Sequence, residues 1–479
     1  MVPRVSRLAR PPVPPTNNDR SLVIVANRLP VQRVRRGTTS TWQTSPGGLV
    51  AALHPLLRKH GGSWVGWPGG EGGSSRAFRH DGMDIKPVTL SAGQIEGFYE
   101  GFSNGTLWPL YHDVLRTPRF RRSWWRSYVE VNQKFADAIE PLVGPGSMVW
   151  IHDYHLQLVP KMLRQRRADL RIGFFLHIPF PAPELFARMP WRAEVLEGLL
   201  ASDVIGFQTR AVAQNFLRAS RRLTRATGSG CTLRLDDHTI RVQPFPIAID
   251  IEEFESLANA ESAGERTRSL RAKFGPKRKL VLGVDRLDYT KGIDVRLRAI
   301  EEVLRRGEFS ARDMCFVQIA VPSRENVDDY ASLRREVEQA VGRINGEYAE
   351  PGQVAVHYLH RRLSREDLVA YYMAADVMMV TPLRDGMNLI AKEYAASRID
   401  GTGVLLLSEF AGAANELRQA VLVNPFDIDG MAKAVQTALT MPPAEQRRRM
   451  RSLRNAVHSY DLYDWAARFL GALRGDQDA

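Results

Sequence analysis

The stretch Val284-Asp-Arg-Leu-Asp-Tyr-Thr-Lys-Gly292 follows the apolar run Lys279–Gly283. It brings two cations, Arg286 and Lys291, into one strand-to-helix loop, with Gly292 at the helix start. Paired cations beside the free N–H groups of a helix terminus suit a diphosphate. The plainer reading is a surface ion-pair loop closed by Asp285 and Asp288, but a position just past a buried strand favours ligand chemistry. A second stretch, Met378–Tyr394 (MMVTPLRDGMNLIAKEY), has the same design. A buried strand ends, Asp385-Gly386 turns, and a helix begins near Met387 or Asn388. The amides from Gly386 through Met387 and Asn388 to Leu389 are then free to meet a phosphate. Glu393, four residues past Leu389, lies on the same helical face, where a carboxylate can hold ribose hydroxyls. Arg384 has no evident partner in the sequence.

Further candidates stand at other strand ends. Arg28 follows SLVIVANR, Asp153 follows MVWI, His177 follows FFL and Arg324 follows QIA. Gly47 and Gly48, in SPGGLV, open a helical pattern and would allow close approach of backbone to an anion. Tyr99, Trp108 and Trp67 are core candidates, yet such rings also serve as sugar platforms with an apolar face and a polar tip. Two stretches mimic sites. Asp427–Asp429 resembles a metal-binding or phosphatase DxD, but reads as a helix N-cap with acids in the first turn. Ser364, with Asp367 three residues on, reads as another N-cap.

These positions need strands to deliver them. Continuous apolar runs recur: SLVIVANR, SMVWIHDYH, RIGFFLHIPF and SDVIGFQT, then KLVLGVDR, MCFVQIA, VAVHYLH, DVMMVTP, GVLLLSE and AVLVNP. Such runs are strands buried on both faces of a parallel sheet, and helical patterns alternate with them. The βαβ rhythm forms two blocks. Between them lie a hairpin pattern (Thr232–Phe245) and a polar helical stretch (Ile251–Lys277), so the boundary is expected near Pro246. Two such sheets would open their strand C-terminal ends onto one cleft.

Composition bounds the class. The chain has 479 residues, too many for one ordinary core. It is 44% hydrophobic and 25% charged, as soluble globular proteins are. No apolar run approaches the roughly 18 residues of a bilayer span. The net charge of +13 fits nucleic-acid binding or a basic enzyme for anionic small molecules. The densest patch, Glu445–Arg454 (EQRRRMRSLR), lacks interleaved aromatics and reads as a solvated helix face. Only two cysteines, Cys231 and Cys315, are present, which favours a cytoplasmic location without disulfides or a cysteine zinc site. Residues 1–20 have no hydrophobic block and read as a disordered arm.

The motifs ANRLP, SPGGL, GFSNGTLWPLYH, WIHDYHLQLVP, GFFLHIPFP, DRLDYTKGI, RINGEY and TPLRDGMNLIAKEY together resemble the trehalose-6-phosphate synthases, from about Ser21 to the C-terminal helix. The resemblance is to the bacterial form with a single activity. It implies an α/β GT-B glycosyltransferase: two Rossmann-like, doubly wound domains facing a cleft, with a C-terminal helix crossing back to the first. The implied division is an arm (1–20), an acceptor domain (21–246), a nucleotide-sugar domain (247–455) and a crossover helix with tail (456–479). The implied reaction moves glucose from a nucleotide sugar to glucose 6-phosphate, with retention, to give α,α-trehalose 6-phosphate. UDP-glucose is the first expectation, with GDP-glucose and ADP-glucose open. By motif, Arg286, Lys291, Asp385, His177 and Asp153 are the catalytic set. Gly47, Gly48, Gly386, Met387, Asn388, Leu389 and Glu393 join the donor site. Arg28, Tyr99 and Arg324 grip the acceptor phosphate, with Trp108, Asp153 and Trp67 about the acceptor. No metal, cofactor, nucleic acid or membrane is implied, and the oligomeric state stays open, dimer and tetramer included. A cyclitol-coupling pseudo-glycosyltransferase and a non-catalytic sugar-phosphate sensor are the alternatives. The retained sugar- and phosphate-contacting positions argue against both.

Overall fold

The computed structural model describes residues 22–36, 39–44, 50, 53, 57, 62–324 and 328–476. Its first half supplies eleven strands: β1 (Leu22–Arg28), β2 (Val31–Arg36), β3 (Thr39–Thr44), β4 (Ser63–Trp67), β5 (Phe78–His80), β6 (Met83–Pro87), β7 (Met148–His152), β8 (Arg171–Phe175), β9 (Val204–Phe207), β10 (Thr232–Leu235) and β11 (His238–Pro244). β2 and β3 form a separate antiparallel ribbon. The other nine make one sheet, ordered β10-β11-β9-β8-β7-β1-β4-β6-β5. It is parallel except for a hairpin at each edge.

The second half supplies β12 (Lys279–Arg286), β13 (Met314–Val321), β14 (Val356–Leu359), β15 (Val377–Val380), β16 (Val404–Ser408) and β17 (Val421–Val423). They lie in the order β14-β13-β12-β15-β16-β17, all parallel. The strand order reverses between β12 and β15, and a crevice opens where the loops after such strands diverge. Those are the loops that carry Arg286 with Lys291, and Asp385 with Gly386.

The central strands are apolar because helices cover both faces: β7, β15 and β16 are buried along their whole length. The hairpin expected between the two blocks belongs to the first sheet, since β11 pairs in parallel with β9 from Arg241 to Pro244. β4 and β6 were not among the expected strands. Each is five residues long, and β4 carries two tryptophans and a glycine in place of an aliphatic run.

The last helix, Leu462–Arg474, crosses back onto the first sheet. The Phe469 ring stacks on Trp150 of β7, centroids 4.4 Å apart and nearly parallel. The contact needs Gly173 in β8, whose Cβ would stand 2.7 Å from the Phe469 ring. Trp465 Nε1 donates to the Phe245 carbonyl at 3.2 Å, and Leu462 N to Ile249 O at 3.2 Å. The C-terminal helix thereby clasps the crossing between the two sheets.

The expected caps are present: Asp427 accepts from Gly430 N at 2.9 Å, and Ser364 from Asp367 N at 3.1 Å. The basic run lies on the helix Pro443–His458. There Arg448 and Arg449 pair with Glu445, and Arg454 with Glu255. Cys315 is buried in β13 and Cys231 is exposed, both as free thiols. Among the described residues no helix is long and apolar enough to cross a membrane.

Candidate functional site

The loop after β12 builds one wall of the cleft. Asp285 turns inward, where Arg296 Nη1 donates to its Oδ2 at 2.7 Å, both side chains being buried. Its neighbour Arg286 points the other way and is exposed, with its guanidinium 5.5 Å from the Trp108 ring centroid. Lys291 ends a short turn, Tyr289–Lys291, whose cap is the Asp288 carboxylate. The Lys291 ammonium meets Asp385 Oδ2 at 2.5 Å, and Asn388 Nδ2 donates to the same oxygen at 3.0 Å. Burial, the largest single influence, pushes the Asp385 carboxyl up, but Lys291, His112 and Arg286 together hold it below its ordinary range.

The loop after β15 builds the next wall. Asn388 sits in a left-handed conformation (φ 72°) and hands over to the helix Leu389–Ser397. Glu393, one turn in, accepts from the Tyr372 hydroxyl at 2.9 Å, and burial raises its pKa. Gly386 lies where a Cβ would stand 2.1 Å from the carbonyl oxygen of His177, a residue of the opposite lobe. Arg384 finds its partner in Asp113, also of the opposite lobe, at 3.0 Å.

From the first sheet, β7 delivers Asp153 with φ 75° and ψ 166°, an uncommon backbone for a non-glycine residue. The His177 amide donates to its Oδ1 at 3.4 Å. Burial is the largest influence on Asp153 and raises its pKa to about 6, against the amides of Tyr154 and His177 and the Arg286 and Arg324 charges. Burial lowers His177 to about 3, so its ring is neutral near pH 7, and it meets His152 Nδ1 through Nε2 at 3.1 Å.

Arg28 lies over Trp67 at 4.4 Å and near Tyr99 at 5.9 Å. Tyr99 rides on a wide helix, Ile95–Leu107, that runs directly into Trp108. Arg324, from the second sheet, has φ 50° and reaches the other lobe. Its guanidinium lies 3.8 Å from the Trp108 ring centroid, and Nη2 donates to the Tyr154 hydroxyl at 3.0 Å.

Two adjoining cavities result. One, about 570 Å³, is lined by Met387, Asn388, Leu389 and Glu393. The other, about 530 Å³, is lined by Arg28, Trp67, Tyr99, Trp108 and Arg324. Asp153, His177, Arg286, Lys291, Asp385 and Arg362 line both. Cations for two phosphates, aromatic faces for a sugar and a buried carboxylate thus converge where the cavities meet. That arrangement can hold two phosphorylated ligands end to end. Gly47 and Gly48 lie outside the described residues. Asp288 was read from sequence only as an ion-pair residue, and Tyr154, inside the motif WIHDYHLQLVP, was given no role. Arg362 and Tyr330 were not singled out and join the site only through the fold. A wider groove of about 800 Å³ around Arg164, Asp203 and His238 lies apart from these residues, and its Arg164 and Asp203 pair with one another at 2.8 Å.

Residues 20–475 match the family described as glycosyltransferase family 20. A trehalose-6-phosphate synthase of Mycolicibacterium vanbaalenii is 52% identical over 467 residues, covering 94% of this chain and 95% of that protein. That of Mycolicibacterium smegmatis is 53% identical over 462 residues, covering 94% and 92%. Among solved structures, one from E. coli, described as bound with UDP-2-fluoro glucose, has a TM-score of 0.88 at 36% identity, covering 95% of this chain and 99% of that one. A UDP-forming α,α-trehalose-phosphate synthase of Burkholderia xenovorans, in complex with glucose-6-phosphate, has a TM-score of 0.88 at 35% identity, covering 95% and 100%.

Proposed function

The chain belongs to glycosyltransferase family 20, among its trehalose-6-phosphate synthases, and from that premise we propose that it transfers glucose from a nucleotide-diphosphate glucose to glucose 6-phosphate with retention at the donor carbon. UDP-glucose is proposed as the first donor, because the matched structures named above are described by UDP. The observation that carries the reading is the meeting of the two cavities at Asp153, His177, Arg286, Lys291 and Asp385. A donor in the Glu393 cavity and an acceptor in the Arg28 cavity would bring their reacting carbons together there.

The roles follow from charge. As the donor's C1–O bond breaks, charge builds on the leaving diphosphate, where Arg286 and Lys291 stabilise it. Lys291 is preorganised by Asp385, so little reorganisation accompanies the reaction. Glu393 holds ribose hydroxyls, and Asp385, with the amides of the Gly386–Leu389 turn, holds the transferred glucose. The neutral His177 ring hydrogen-bonds that sugar. Arg28 and Arg324 hold the acceptor phosphate, and Asp153 accepts from an acceptor hydroxyl. The acceptor oxygen attacks C1 on the face that the diphosphate leaves, and its proton passes to the leaving diphosphate oxygen. Asp385, already bound by Lys291 and Asn388, is thereby spared a role as covalent nucleophile. We take residues 21–246 and 247–455 as the two lobes and 456–479 as the returning segment. The free thiols Cys231 and Cys315 support a cytoplasmic location.

The test is a donor panel. Purified protein with glucose 6-phosphate and UDP-, GDP- or ADP-glucose is expected to form trehalose 6-phosphate, with NMR showing both anomeric centres α. Absence of product with all three donors would refute the activity, and a β linkage at the donor carbon would refute retention.

A further inference from the structure

Asp288 is buried, and its carboxylate is fully occupied by the protein. Oδ1 accepts from the Thr290 amide at 3.0 Å and from the Thr290 hydroxyl at 2.8 Å. Oδ2 accepts from Arg324 Nη1 at 3.0 Å and from the Tyr330 hydroxyl at 3.2 Å. Four bonds use the accepting capacity of an ionised carboxylate, so Asp288 has nothing left to offer a ligand. Its two oxygens serve two different residues of the cleft. The Thr290 bonds fix the turn that presents Lys291. The Arg324 bond fixes the cation lying over Trp108.

The donor count on Arg324 gives that second bond its meaning. Nη1 is committed to Asp288 and to the Tyr330 oxygen. One Nη2 hydrogen goes to the Tyr154 oxygen, and Tyr154 passes its own proton to Asn104 at 3.0 Å. Among the described residues, Nε–H and the second Nη2 hydrogen have no further protein acceptor. Nε and Nη2 flank one edge of the guanidinium, a fork that can bind an oxyanion in bidentate fashion. Asp288 and Tyr330 therefore block one edge of Arg324 and leave the other for a phosphate.

We propose that Asp288 is a positioning residue joining the two grips, one carboxylate oxygen setting the Lys291 turn for the donor diphosphate and the other aiming Arg324 at the acceptor phosphate. This rests on the reaction proposed above. A carboxylate serving only as a turn cap would need one oxygen, and its loss would leave the acceptor side untouched.

Calorimetric titration separates the sides, with UDP as the donor probe and glucose 6-phosphate, in the presence of UDP, as the acceptor probe. Asp288→Asn is expected to weaken both ligands by at least about tenfold, the scale of a lost charged hydrogen bond. Thr290→Val is expected to weaken UDP while leaving glucose 6-phosphate within about twofold, and Tyr330→Phe to do the reverse. Asp288→Glu, which keeps the charge, should recover part of the loss. The proposal is overturned if Asp288→Asn leaves either ligand unaffected, or if Thr290→Val and Tyr330→Phe act alike on both. Should Asp288→Asn fail to fold by circular dichroism, the other two variants decide alone. Wild-type protein that binds neither probe would instead count against the proposed reaction.

Discussion

Arg286 leaves β12 into the cleft, and none of the ion pairs among the described residues uses it. Its partner in the sequence, Asp285, is engaged beneath the loop by Arg296. Truncating Arg286 therefore opens no cavity and breaks no ion pair among the described residues, and Arg324 still faces the buried Asp153 that both charges favour in its ionised form. Arg286→Ala is expected to lower kcat by about 100- to 1,000-fold, the usual effect of losing one electrostatic donor to a leaving group. Its melting temperature should stay near that of the wild type, as for an exposed substitution. An unfolded variant by circular dichroism would make Arg286 a structural residue. Asp153 behaves differently, because burial has raised its folded pKa to about 6 from 3.8. The folded state thus holds this proton more tightly than the unfolded chain does. Ionising Asp153 removes stability as pH rises from 3.8 through about 6. Asp153→Asn has no such ionisation. Its stability relative to wild type should rise across that window and level off above it, read from melting temperatures against pH. A flat difference would mean that Asp153 is not held as an unfavourable buried charge. At this scale, residues at strand ends were legible, since position past a buried run is itself the signal. Partners brought in by the fold were not. Arg384 found Asp113, 271 positions away, and no local pattern could have named it.

The elements were legible where burial is two-sided. β12, β13, β15 and β16 are continuous apolar runs because helices cover both faces, and each was readable as such. β4 and β6 were missed because both are short, and their identity depends on pairing with β1 and with one another. The wide helix Ile95–Leu107 was legible as a motif but not in its geometry. Its wider turn has no separate hydrophobic period that a reader could score. The C-terminal helix was expected to cross back, and its packing shows what holds it. Phe469 is fully buried against Trp150, Phe175 and Phe245, in the space left by Gly173. Phe469→Ala leaves a ring-sized void and should cost about 3–5 kcal/mol. Urea unfolding followed by tryptophan fluorescence should show the loss, since Trp150 borders the void and Trp465 lies against Trp150. An unchanged midpoint would mean that the helix rests on its hydrogen bonds to Phe245 and Ile249 instead.

At the scale of the molecule, the site exists only while the lobes are closed on one another. Arg324 crosses to Tyr154, Arg384 to Asp113, and the Gly386 backbone touches the His177 carbonyl. The last contact is the least forgiving. A methyl at position 386 would stand 2.1 Å from His177 O and 3.2 Å from Ile178 Cα, both backbone atoms on the far side of the cleft. No side chain can rotate away to make room, so the lobes themselves must part. Gly386 opens the run of amides proposed to hold the donor and follows Asp385, so parting there separates the donor grip from Asp153 and His177. A misplacement of about 1 Å costs on the order of 100-fold in rate when reacting groups must be held in line. Gly386→Ala is therefore expected to reduce kcat/KM by at least about 100-fold. Each lobe should keep its own core, because the added methyl meets only the cleft face, and circular dichroism should be unchanged. Small-angle scattering should give a larger radius of gyration for the variant in the presence of UDP and glucose 6-phosphate. Wild-type kinetics in Gly386→Ala would show that turnover does not require the lobes to approach this closely.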